Sequence, residues 1–125
     1  MNDRNLHVLE RWFQAFEQED MDSARTLFPS DSSLHIEEPA ELRGTYRGFD
    51  EFLQFYEEKR RLSGQGFKYE VLDTLAGDRH AAAVLRLTAQ KEGEPIEWLQ
   101  FAIYRISDQQ IKEMWFFESS YPVGL

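Results

Sequence analysis

The sequence predicts an α+β fold in which three N-terminal helices pack on one face of a strongly curved, mostly antiparallel sheet. Three observations lead there. Apolar residues recur at three- and four-residue spacing through the first half of the chain. The period changes to two in the second half, where long alternating runs are separated by short turn signals. The 125 residues are 42% hydrophobic, enough for one core and one domain over 1–125.

Asn2 or Asp3 caps a first helix whose broad apolar face is Leu6, Leu9, Trp12, Phe13 and Phe16. Asp20 and Asp22 open a second, short helix with Met21, Ala24, Leu27 and Phe28 on one stripe, and Pro29 stops it. Ser30 to Ser33 form a turn, and Leu34 to Glu38 read as a strand. A glycine-punctuated loop runs from there to Gly48, which opens a third helix with Asp50 and Glu51 in its first turn. Phe49, Phe52, Leu53 and Tyr56 are its apolar stripe, Lys59-Arg60-Arg61 complement the dipole at its far end, and Ser63-Gly64 terminate it. Strands follow at Phe67–Leu75, His80–Gln90, Pro95–Ile106 and Gln110–Glu118. The turns between them are Ala76-Gly77-Asp78, Glu92-Gly93-Glu94 and Ser107-Asp108-Gln109, the pattern of an antiparallel meander.

Two of these strands are apolar on both faces. Leu99, Phe101 and Ile103 oppose Ile96, Trp98, Ala102 and Tyr104, while Trp115 and Phe117 oppose Met114 and Phe116. A sheet with helices on one side needs a polar outer face unless something covers it. A homodimer through the open sheet face is the expectation. The net charge of −9 speaks against a nucleic-acid partner, no apolar run reaches the length of a membrane span, and the N-terminus lacks a signal-peptide pattern. With no cysteine there is no disulfide framework and no thiolate chemistry, and a cytoplasmic protein is expected.

The chemically informative segment is Leu34-His35-Ile36-Glu37-Glu38-Pro39. Alternation puts Glu38 on the face of Leu34 and Ile36, so it is either the solvated end of a strand or an acid at a cavity mouth. As a cavity acid it would be a general base whose pKa is raised by apolar neighbours. As a rim carboxylate it would pair with Arg43 or Arg47. His35 and Glu37 share the opposite face, outer or dimer-facing, unless a bulge flips the parity and turns His35 inward. No histidine lies in a ligand-type motif, so no metal is expected, and no nucleotide or redox fingerprint is present.

The whole chain resembles the nuclear-transport-factor-2-like superfamily, the cone-shaped fold of ketosteroid isomerases, SnoaL-like polyketide cyclases and scytalone dehydratase. The resemblance rests on Arg11-Trp12-Phe13-Gln14-Ala15-Phe16 with Asp20-Met21-Asp22 leading to Leu27-Phe28, and on Glu37-Glu38-Pro39. It rests equally on Gly44-Thr45-Tyr46-Arg47-Gly48-Phe49, and on Tyr104-Arg105-Ile106 with Ile111 to Phe116. It implies a cone with an internal pocket. Ketosteroid isomerases keep their base immediately before a proline at the end of the first strand, where Glu38 stands. Their oxyanion donors align with Trp12, which has only an indole N–H, and Ala102, which has none. Steroid isomerisation is therefore not what the resemblance implies.

It does imply a pocket lined by Trp12, Trp98, Gln100, Tyr104, Met114, Phe116 and Glu118, with Tyr46 over its mouth. A small, largely apolar organic ligand suits such an aromatic box. The expected activity is cofactor-free proton transfer (isomerisation, dehydration, cyclisation or epoxide hydrolysis) with Glu38 as base. The alternatives are a non-catalytic ligand carrier and a protein-association module on the same cone.

Overall fold

The computed structural model describes residues 1–119. Helices α1 (Asp3–Glu17) and α2 (Met21–Leu27) precede strand β1 (Ser33–Ile36), and strand β2 (Gly44–Arg47) leads directly into helix α3 (Gly48–Ser63). Strands β3 (Gln65–Ala76), β4 (His80–Lys91), β5 (Glu94–Ser107) and β6 (Gln110–Glu118) complete the chain order. They form one six-stranded sheet in the order β2-β1-β6-β5-β4-β3. Every pairing is antiparallel except β1 with β6. This is the α+β architecture expected from the sequence.

Strands β3 to β5 run one or two residues beyond their expected ends, and two larger differences bear on the site. The loop before α3 contains a strand, β2, which hydrogen-bonds along β1 from Arg47↔Ser33 to Gly44↔Ile36. In the other direction, β1 ends at Ile36 rather than Glu38. The chain leaves the sheet at Glu37, passes a cis Glu38–Pro39 bond and makes a short 3-10 turn over Ala40–Leu42.

Side-chain caps seat α1 and α2. The Asn2 carboxamide oxygen accepts from the Asn5 N–H, and the Asp20 carboxylate accepts from the Ser23 N–H. Asn5 is itself buried and donates to the carbonyls of Gly77 and Asp78, tying α1 to the β3–β4 turn. Gly64 ends α3 at φ +119°, where a Cβ would lie 2.5 Å from the Gln90 carbonyl oxygen, so no other residue fits there.

Alternation holds along the strands and sorts the two sheet faces. Ala81, Ala83, Leu85 and Leu87 of β4, Ala102, Tyr104 and Ile106 of β5, and Met114 of β6 point to the helices and are buried. Register shifts interrupt β3 between Val71 and Asp73 and the β5–β6 pair between Arg105 and Ile106. Such irregularities bend and twist a sheet, here around the helices. Leu9, Trp12, Phe28, Phe49, Phe52 and Phe55 fill the space between helices and sheet.

Candidate functional site

Aromatic side chains dominate the cone. Trp12 meets Phe16 edge-on at 4.7 Å between ring centroids and Phe52 at 5.1 Å, and Phe28 and Phe49 close in behind it. Edge-to-face contacts of this kind leave narrow gaps between rings. What remains is an inner cavity of about 60 Å³, walled by α1, α3 and strands β3 to β6. Trp12, Phe116, Tyr69 and Tyr104 line it, and Gln100 and Lys59 are its polar groups besides the phenols.

Lys59 is the decisive residue. It lies on α3 seven positions after Phe52 and three after Tyr56, so it belongs to the helix's apolar face rather than to its solvated end. It is 7% exposed, and its ammonium is paired with the Glu118 carboxylate at the end of β6. Lysine is almost never this buried without a partner. Burial brings the Lys59 pKa down from 10.5 to about 8, while the carboxylate against it favours the charged form. The same burial raises the neighbouring phenols: Tyr69 to about 12, and Tyr104, which is fully enclosed, further still.

Lys59 also lines a second, outer hollow of about 380 Å³ with Pro39, Glu41, Leu62, Lys91, Trp98 and Glu118 among its walls. The Lys59–Glu118 pair therefore stands where an aromatic chamber meets a more polar, outer vestibule. Two donors nearby are unused. The Trp98 indole N–H is buried without an acceptor among the described residues, and the Gln100 amide likewise has no hydrogen-bond partner among them. Gln100 sits opposite Glu118 in the β5–β6 register.

The residues expected at the site separate into groups. Trp12, Gln100, Tyr104 and Phe116 line the inner cavity, and Trp98 and Glu118 line the vestibule. Met114 faces inward but is buried in the core between the sheet and its neighbours, lining neither space. Tyr46 is half-buried on β2, where its hydroxyl donates to the Leu42 carbonyl at 2.6 Å and its ring packs on Phe55. It anchors the turn and lines neither space. Glu38 is exposed and lines neither, because the strand that was to carry it inward ends at Ile36.

The basic neighbours of Lys59, Arg60 and Arg61, point to dipole complementation at the end of α3, but the structure turns Lys59 inward. The helical spacing Phe52, Phe55, Tyr56, Lys59 was the signal that it faces inward.

His35 stays on the outer sheet face, with no parity flip. Its Nε2 lies 2.9 Å from a Glu113 oxygen, its Nδ1 3.3 Å from the Thr45 hydroxyl, and its ring stacks on Trp115. Arg105 donates to Glu113 at 2.8 Å, and that bond, with the one to His35, holds the Glu113 carboxyl below its ordinary pKa. Around this cluster Phe101, Ile103 and Phe117 are 39%, 38% and 47% exposed. Among the described residues no group of acids and histidines is arranged to hold a metal ion, and no helix is long and apolar enough to cross a membrane.

A model of the SnoaL-like domain matches residues 9–114. Among solved structures, Bal32a from a soil-derived mobile gene cassette is similar at 18% identity and a TM-score of 0.80, covering 94% of this chain and 91% of that one. An NTF2-like protein from Burkholderia thailandensis is similar at 14% identity and a TM-score of 0.79, covering 92% and 90%. TerC, co-crystallised with polyporic acid, is similar at 12% identity and a TM-score of 0.78, covering 94% and 92%. At these identities the likeness establishes the fold. No curated protein matches the chain.

Proposed function

The chain belongs to the SnoaL-like domain family, and from that premise we propose that it binds a small, largely apolar organic molecule in the cone and transforms it by cofactor-free proton transfer. The observation that carries this reading is Lys59, a charged group held 7% exposed against aromatic walls and paired with Glu118. A group of this kind is poised to give and take a proton near neutral pH, because burial brings its two protonation states close in energy. The ligand's apolar end would enter the ring-lined chamber while its polar end stays at the Lys59–Glu118 boundary. Gln100 and Trp98 carry the unused donors that could orient it. Glu38, exposed beyond the end of β1, has no part in this chemistry.

The proposal includes a homodimer through the outer sheet face, supported by the exposed Phe101, Ile103 and Phe117, and a cytoplasmic setting, supported by the cysteine-free sequence. Native mass spectrometry of the purified protein tests ligand and assembly together. The expected spectrum is a dimer carrying a small molecule that is lost in Leu85→Trp, which fills the chamber. A protein that retains nothing, and that binds no apolar aromatic probe by calorimetry, sinks the ligand-binding reading. Retention of a molecule that Lys59→Met neither releases nor protects from turnover removes Lys59 from the chemistry.

A further inference from the structure

We infer that Lys59 is a covalent amine, forming an imine with an apolar aldehyde or ketone that enters from the vestibule, with Glu118 relaying the protons. The inference rests on the ligand-binding reading above and specifies the substrate class it implies.

Geometry carries it. Lys59 is the residue shared by the two spaces that also lies against the Glu118 carboxylate, so a carbonyl arriving from the vestibule meets its nitrogen before the aromatic chamber. Lys59 is only 7% exposed, and such burial limits the access of water that would hydrolyse an imine. Gln100, opposite Glu118 in the sheet register, has an amide free among the described residues to hold the carbonyl oxygen. Burial supplies the neutral amine that the attack requires.

The step balances without any further reagent. The Lys59 ammonium passes one proton to Glu118 and becomes a neutral amine. Its lone pair forms the C–N bond while the C=O π pair moves to oxygen. Transfer of a nitrogen proton to that oxygen gives the carbinolamine. The proton held on Glu118 then goes to the hydroxyl, the C–O bond breaks and water leaves. The product is a protonated imine facing the Glu118 carboxylate. One cation has replaced another, so the ion pair survives the reaction. The carbon next to the imine becomes acidic, which is the proton-transfer chemistry proposed above in a more specific form.

Reductive trapping tests this on the intact protein. Wild-type protein is mixed with benzaldehyde and cyanoborohydride at pH 8, and the benzylated residues are mapped by peptide mass spectrometry. With its pKa near 8, Lys59 is about half neutral there, whereas an ordinary lysine is less than about 1% neutral. Apart from the α-amino group, which is about as neutral at this pH, the expected result is one benzyl group among the four lysines, at Lys59, installed at least about tenfold faster than at Lys68, Lys91 or Lys112. Lys59→Arg, which keeps the cation but cannot form an imine, should lose it. Labelling spread evenly over the four lysines, or absent from Lys59, overturns the inference.

Benzyl alcohol binding, followed by tryptophan fluorescence, separates the two readings. Binding without labelling at Lys59 removes the imine and leaves the ligand site. Absence of both removes the two together.

Discussion

The Lys59 ammonium on α3 and the Glu118 carboxylate at the end of β6 form an ion pair at the boundary of an aromatic chamber and an outer vestibule. Fifty-nine residues separate them in the chain. The helix places the lysine and the last strand places the acid, so the site exists only once the sheet has closed against α3.

Stability should rise between pH 8 and 10 and turn over above that. Lys59 has a folded pKa of about 8 against 10.5 unfolded, so between those values the unfolded chain binds more protons and stability increases with pH. The cost of holding Lys59 charged is fully present below pH 8 and is relieved by about pH 10.5, an effect on the order of 3 kcal/mol. Above pH 10 the raised Tyr69 and Tyr104 oppose it, because the unfolded phenols ionise first. Urea midpoints of wild type and Lys59→Met across this range check the sign. A wild-type curve that falls steadily from pH 8 contradicts it.

Glu118→Gln should destabilise the protein by about 1–3 kcal/mol at pH 7, by leaving a buried ammonium without its counter-charge. The loss should shrink as pH approaches 10, where Lys59 is neutral, and should be smaller in a Lys59→Met background. A pH-independent loss would mean that Glu118 acts through packing alone.

Glu38→Gln should leave affinity for an apolar aromatic probe within about twofold of wild type, a change under about 0.5 kcal/mol. The carboxylate is exposed and lines neither space. A tenfold change in calorimetric affinity would return Glu38 to the site.

Trp12→Ala should cost about 3–5 kcal/mol, because it empties the position that Phe16, Phe28, Phe49 and Phe52 close around. Tyr46→Phe, which deletes one hydrogen bond to the Leu42 carbonyl, should cost about 1 kcal/mol. Chemical denaturation ranks the two, and equal losses would show that the aromatic cluster repacks.

Phe101→Glu with Phe117→Glu should give a monomer in sedimentation equilibrium where wild type gives a dimer. Both side chains are on the exposed outer face, and a carboxylate there cannot be desolvated cheaply. If wild type sediments as a monomer at micromolar concentration, the dimer proposal fails.

Much of this molecule is written in local periodicity. The period of two places Gln100 and Tyr104 of β5 and Phe116 of β6 toward the helices. The helical period places Trp12 among them. Those assignments need only the geometry of a single element. Glu38 and Lys59 depended on more than that.

Whether β1 extends to Glu38 depends on how far β2 and β6 pair with it, and both ladders stop at Ile36. Whether a lysine on an apolar helix face is solvated or buried depends on a carboxylate from another element reaching it. By itself the sequence determined the helices, five of the six strands, the facing of most of their apolar residues and the aromatic character of the cone, but not strand β2. Only the tertiary structure decided which charged groups meet at the cavity: desolvating a charge is tolerable only beside its counter-charge, and that adjacency joins Lys59 and Glu118 from opposite halves of the chain.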